Sequence, residues 1–288
     1  MTAHANHGEA NSHSTWKPGS GVFRLKHLIV NSYLIADPGS SSWVLVDAGL
    51  CRFSAAAILR QAAKQFGRDN PPQAIVLTHG HFDHVGAIRP LLERWPAPVY
   101  AHRAELPFLT GIADYLPPEP RAGGGLMAWL AFLFPRKGID LGHRVQALPE
   151  DGTIPGLPGW RHIHTPGHTA GHIALFREED RLLIAGDAFV TVKQESFWAV
   201  LSQKQKVHAP PAYFTPDWAS ARASIQALAE LDPRIAATGH GRPMSGSELR
   251  LQLRDLLRNF NRAVPRHGRY ADSAHPVSAA RPRPVPAV

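Results

Sequence analysis

The chain has a single cysteine, Cys51, among 288 residues. One thiol excludes an internal disulfide framework and any cysteine-rich metal site. A metal bound here must be held by nitrogen and oxygen. Long apolar runs are also missing. The longest, Leu126 to Phe134 (LMAWLAFLF), is too short to span a bilayer. It suits a buried helix, a pocket lid, a dimer surface or a membrane-surface contact, so a homodimer is compatible with it. The N-terminus, MTAHANHGEANSHSTWKPGSG, has neither the basic start nor the apolar core of a secretory signal. Residues 1–21 therefore read as a flexible tail, and a cytoplasmic location is expected. No tandem repeat of fixed short period is present.

Acidic residues are outnumbered, 23 Asp and Glu against 31 Lys and Arg, for a formal charge of +8. A basic surplus can mark a nucleic-acid surface. Here it is concentrated elsewhere. Arg250, Arg254, Arg258 and Arg262 recur every four residues, opposite Leu249, Leu253, Leu256 and Phe260. That spacing describes a helix lying on the body with a solvated basic face. Nucleic-acid binding is the least favoured function, and no nucleic-acid partner is expected. Hydrophobic residues make up 44% of the chain, enough for a sizeable core.

Val22 to Val46 reads as strands: VFRLKHLIV, SYLIAD, a turn at PGSSS, then WVLVD. Ser54 to Phe66 reads as a helix with Ser54 as its N-cap. AIVL (Ala74 to Leu77) is a short buried strand, Val85 to Trp95 a helix, and PVYAH a strand. Residues 116–142 combine Pro and Gly with LMAWLAFLF and read as an insertion over a scaffold. Strands return at Arg161 to His164, His172 to Phe176 and Arg181 to Ile184. A loop runs from Phe189 to Pro216, followed by a helix (Asp217 to Leu231), a strand (Ile235 to Ala237) and the basic helix. Residues 264–288 form a Pro/Arg-rich tail. The expected organisation is one domain over 22–263, in two similar halves packed sheet to sheet with helices outside.

The stretch THGHFDHVG (Thr78 to Gly86) crowds His79, His81, Asp83 and His84. His79 and His81 are two apart and point to one side of an extended segment. Asp83 and His84 fall where the next helix starts and face elsewhere. The loop therefore offers two half-sites with two ligands each, while a catalytic metal usually takes three or more. Three further residues follow apolar strands and stand beside glycines: His168 in TPGHTAGH, Asp187 in LIAGDA and His240 in ATGHG. The other histidines, among them His27, His102, His162, His164 and His208, read as structural or solvated, and His172 as structural.

In this order the motifs THGHFDHVG, TPGHTAGH, AGDA and TGHG resemble the metal-binding motifs of the metallo-β-lactamase superfamily. Asp47 in VLVDAGL matches that family's early aspartate. The resemblance runs from about Val22 to Leu257. It implies an α/β fold, a four-layer αβ/βα sandwich. It also implies that His79, His81 and His168 bind a first metal, that Asp83, His84 and His240 bind a second, and that Asp187 bridges them. Asp47 would support the metal loop rather than bind metal. Imidazoles and carboxylates suit two divalent ions, zinc foremost, with iron or manganese as alternatives. Two adjacent ions can share one hydroxide, which attacks an electrophilic carbonyl or phosphorus. Asp83 or Asp187 would shuttle the proton to the leaving group.

The complete ligand set with a bridging aspartate resembles hydroxyacylglutathione thioesterases and acyl-homoserine lactonases. The expectation is a dinuclear metallohydrolase acting on a small-molecule ester, thioester or lactone. The rival readings are a mononuclear-iron persulfide dioxygenase, and a β-lactamase or phosphodiesterase. The lactonases' tyrosine, three residues after the bridging aspartate, is Val190 here. Lys193, Gln194, Glu195, Trp198 and Tyr213, in the long loop, are candidates to reach substrate.

Overall fold

The computed structural model describes residues 21–36, 41–122, 124–265, 269–270 and 281–282. The N-terminal tail, most of the PGSSS turn and most of the C-terminal tail lie outside the described residues. The first half runs β1 (Val22–His27), β2 (Val30–Ala36), β3 (Trp43–Val46), α1 (Arg52–Phe66), β4 (Ala74–Val76), α2 (Phe82–Val85), α3 (Ile88–Arg94), β5 (Val99–Ala101), α4 (Leu106–Leu109), β6 (Ala113–Asp114), α5 (Leu126–Trp129) and β7 (Val145–Ala147). The second runs β8 (Trp160–His164), β9 (Ile173–Arg177), β10 (Leu182–Ile184), α6 (Phe197–Ser202), α7 (Trp218–Glu230), β11 (Ile235–Ala237), β12 (Met244–Ser245) and α8 (Gly246–Arg258). A last strand, β13 (Arg281–Pro282), pairs with β6.

One sheet has six strands in the order β1-β2-β3-β4-β5-β7, and the other has five, β12-β11-β10-β9-β8. The period-two alternation of buried strands assigns each residue to a layer. In β3, Val44 and Val46 point into the core between the sheets, while Trp43 and Leu45 pack under α1 and α3 with Ile58 and Leu91. In β10, Leu182 and Ile184 face the same central core, and Leu183 packs with Trp218 and Ile225 of α7 and Leu249 and Leu253 of α8. The result is helix, sheet, sheet, helix, the four-layer αβ/βα sandwich expected from the sequence.

Several boundaries differ from the sequence expectation. VFRLKHLIV is not one strand. It turns at Leu28, which takes a left-handed φ of 57°. Ser54 is not the N-cap of α1; Cys51 is, and the Ser54 hydroxyl accepts from the amides of Leu50 (3.1 Å) and Cys51 (3.4 Å). The expected helix from Val85 to Trp95 is shorter: Val85 ends α2 and α3 begins at Ile88, and at the break the His84 carbonyl accepts from the Ala48 amide (2.7 Å). That bond competes with the helical one to the fourth residue on. The long loop contains α6 and a single turn at Ala212–Phe214. The apolar segment of the insertion is α5 followed by a turn, Leu130–Leu133.

Candidate metal centre

Asp47, His79, His168, Asp187 and His240 all follow the C-terminal ends of strands: β3, β4, β8, β10 and β11 respectively. His81 caps α2 at its N-terminus, and Asp83 and His84 lie within that helix. All seven expected ligand residues are buried. Their ligand atoms form three groups, each within 4.8 Å: His79, His81 and His168; His79, His84 and Asp187; Asp83, His84 and His240.

Hydrogen bonds on the far side of each ring fix which nitrogen faces inward. The Thr78 hydroxyl donates to Asp47 (2.8 Å), so it accepts from His79 Nδ1 (3.1 Å). The Thr215 hydroxyl donates to the Pro211 carbonyl (2.8 Å), so it accepts from His168 Nδ1 (3.2 Å). His84 Nδ1 donates to Asp47 (2.8 Å), and His240 Nδ1 to the Ile29 carbonyl (2.7 Å). In all four rings Nδ1 is engaged outward and Nε2 is the atom turned towards the cluster. His81 presents Nδ1, 3.0 Å from His79 Nε2 and 2.9 Å from His168 Nε2.

These residues fit a metal on three observations. His84 Nε2 and Asp187 Oδ1 are buried without a hydrogen-bond partner, which buried polar atoms rarely are. A Cβ on Gly239 would fall 2.0 Å from Asp187 Oδ1 and 2.9 Å from His84 Cε1, so only glycine leaves this space open. Nitrogens around a tetrahedral zinc lie about 3.3 Å apart, a few tenths of an ångström wider than the His79, His81 and His168 spacing.

The two ends of the cluster differ electrostatically. Burial holds His79 and His168 well below the ordinary imidazole range and His81 down to about 3. Burial also opposes the charged forms of His84 and His240. Yet Asp47, Asp187 and Asp83 push His84 well up, and Asp187 and Asp83 raise His240. Burial likewise works against the Asp187 carboxylate, but His240 and His84 hold it well below its usual range.

The surroundings include residues that carry no sequence signal. Glu105 is fully buried, and four donors converge on it: the Gly80 amide (3.0 Å), the Gly171 amide (3.0 Å), the Thr169 hydroxyl (2.5 Å) and the Tyr115 hydroxyl. It ties the His79–His81 loop to the loop carrying His168. Asn31 donates to the carbonyls of Thr238 and Gly241 (2.8 Å each), and Tyr33 donates to that of Thr238 (2.7 Å), so β2 clamps the His240 loop. His172 accepts the Asp187 amide proton at Nε2 (2.8 Å) and meets the Thr165 hydroxyl at Nδ1 (2.8 Å). Among the long-loop candidates, Lys193 and Trp198 are exposed, whereas Gln194, Glu195 and Tyr213 are buried. Burial pushes the Tyr213 phenol well up, reinforced by Asp83, Glu195 and Asp187.

A narrow cleft opens beside His81 and His168, lined by Phe108, Tyr115, Leu116, Phe214, Pro216 and Tyr270 among others, with no Lys or Arg among its described lining residues.

A family model described as the metallo-beta-lactamase superfamily matches residues 25–240. The chain is 50% identical over 247 residues to the probable metallo-hydrolase YflN of Bacillus subtilis (strain 168), covering 85% of this chain and 93% of that one. The probable metallo-hydrolase YybB of the same organism is 31% identical over 231 residues, covering 80% and 86%. Among solved structures, TTHA1623 in a di-iron-bound form aligns with a TM-score of 0.51 at 27% identity, covering 77% of this chain and 92% of that chain.

Proposed function

The chain belongs to the metallo-β-lactamase superfamily and is a metallohydrolase, and from that premise we propose that it is binuclear and cleaves an ester, thioester or lactone. The observation that carries the binuclear reading is the position of Asp187. Its Oδ2 lies 3.6 Å from His168 Nε2 and 3.0 Å from His240 Nε2, and its Oδ1 lies 3.7 Å from His84 Nε2. One carboxylate thus faces both ends of the cluster. His79, His81 and His168 would hold one ion, Asp83, His84 and His240 the other, with Asp187 shared. The nitrogen and oxygen donor set favours zinc, and the di-iron form of TTHA1623 keeps iron as the alternative.

Bound ions would supply Lewis acidity and a water acidified towards neutral pH. The protein supplies the rest. Asp47, Thr78, Thr215 and the Ile29 carbonyl hold Nδ1 of the four rings, so that each turns Nε2 inward. Asp83 or Asp187 would take a proton from the attacking water and return it to the leaving group. The largely apolar lining of the cleft beside His81 and His168 supports an acyl group on that side of the cluster. Residues 22–263 are the unit proposed to carry this activity.

Metal quantification on the purified protein, coupled to lactone, thioester, phosphoester and β-lactam substrates, tests the proposal. About two ions per chain are expected, with turnover confined to the neutral acyl substrates. A single iron with persulfide-dependent oxygen uptake would replace it with the mononuclear dioxygenase.

A further inference from the structure

Most of the exposed large apolar side chains of the described residues stand on two neighbouring segments. Trp129, Phe132 and Leu133, on α5 and the turn after it, are 57–64% exposed. Phe197, Trp198 and Leu201, on α6, are 46%, 75% and 64% exposed. The segments touch. The Met127 amide donates to the Glu195 carbonyl (3.3 Å), and Gly125 packs so closely on that carbonyl that a Cβ would fall 2.2 Å from it. A segment that merely covers a core has a polar outer face. This one is apolar on both sides: Ala128 and Ala131 face inward against Tyr213 and Phe214, and the aromatics face out. Clustered exposed aromatics of this kind mark an interaction surface.

Charge decides the partner. From Arg121 to Gly138, and again from Phe197 to Val207, the sequence contains no Asp or Glu. Arg121, Arg136, Lys137, Lys204 and Lys206 are all exposed on these segments. A two-fold interface sets a patch against itself, so a second copy would oppose like charges. An anionic bilayer accepts both features. Trp, Phe and Leu tips enter the headgroup boundary, while Lys and Arg meet lipid phosphates. No described helix is long and apolar enough to cross a membrane, so the contact is with one leaflet.

We propose that α5, the turn after it and α6 form a docking surface for an anionic phospholipid bilayer. The inner side of this surface leads to the metal cluster. Phe134 packs near Phe82 with ring centres 5.5 Å apart, and Phe214 near His81 at 4.9 Å. The bilayer therefore meets the enzyme one aromatic layer from the ligand residues. The surface stands whichever bond the enzyme cleaves.

Co-sedimentation of the metal-loaded protein tests this, using vesicles of phosphatidylcholine alone or of equimolar phosphatidylcholine and phosphatidylglycerol. The protein is expected to sediment with the anionic vesicles, to be released by salt and to show blue-shifted tryptophan emission. Lys137→Glu combined with Lys204→Glu and Lys206→Glu lowers partitioning by at least about tenfold. Trp129→Ala combined with Trp198→Ala does the same, with an unchanged circular dichroism spectrum. Absence of vesicle binding, equal binding to neutral vesicles, or wild-type partitioning of the variants overturns the proposal. A dimer in gel filtration that the tryptophan variants dissolve assigns the surface to a second copy instead.

Discussion

At Asp187 the backbone and the side chain have separate partners. Its amide proton goes to His172 Nε2, which leaves the His172 proton on Nδ1, towards Thr165. Burial holds His172 down to about 3, so this neutral form persists across the working range of pH. His172 therefore aims Asp187 without facing the ligand cluster through a free nitrogen. His172→Ala strands the buried Asp187 amide, at about 1–3 kcal/mol. The expected result in urea unfolding is a lower midpoint, with metal content near wild type; complete metal loss would make His172 a ligand. Asp187→Ala acts differently. It removes the shared carboxylate and lowers both metal content and turnover, the latter by more than about a hundredfold, which exceeds what outer positions usually cost. Full activity in Asp187→Ala would refute the binuclear reading. Glu105→Ala leaves two amides and two hydroxyls without their common acceptor. Urea denaturation is expected to show it as the most destabilising of the three, because each orphaned donor carries its own desolvation cost.

Among the elements, the loop after β11 leaves no room for a side chain beside the ligand residues. A methyl at Gly239 would occupy the space between Asp187 Oδ1 and His84. Gly239→Ala should displace Asp187, halve the bound metal and leave the sheets intact; metal analysis beside circular dichroism reads both. This glycine was legible in the sequence as part of ATGHG, as were the other strand-end motifs, because a ligand loop must follow an apolar strand closely. The layer arrangement was legible too, since buried strands such as WVLV alternate between two cores. What the sequence hid was set by contacts distant in the chain. The turn at Leu28 contains none of the residues that usually announce one. The break between α2 and α3 coincides with a carbonyl bonded to Ala48, and Glu105 in HRAELPF gains its importance only where two loops meet. α6 was missed although Ser196, which accepts from the Ala199 amide (3.3 Å), is a recognisable N-cap.

Across the whole molecule, both halves feed both ends of the cluster, yet the two ends differ in electrostatics, and this difference should order metal release by pH. His79, His81 and His168 are held below the ordinary value of 6.5 by burial, so protons compete weakly for their inward nitrogens. His84 and His240 have raised values despite burial, through Asp47, Asp187 and Asp83 for the first and Asp187 and Asp83 for the second. In the metal-free chain, the raised pair contributes stability that is fully present below 6.5 and is lost as pH rises through the raised values. The lowered group acts in the opposite sense. The unfolded chain takes up protons first, so stability from these three falls as pH drops below 6.5 towards their folded values. Metal competes with protons at each nitrogen. Acidification should therefore empty the Asp83, His84 and His240 end first, in a separate earlier step. Dialysis across a pH series with metal analysis measures this. His84→Ala should remove the early step and His168→Ala the late one; simultaneous release, or release in the reverse order, contradicts the assignment of the two ends.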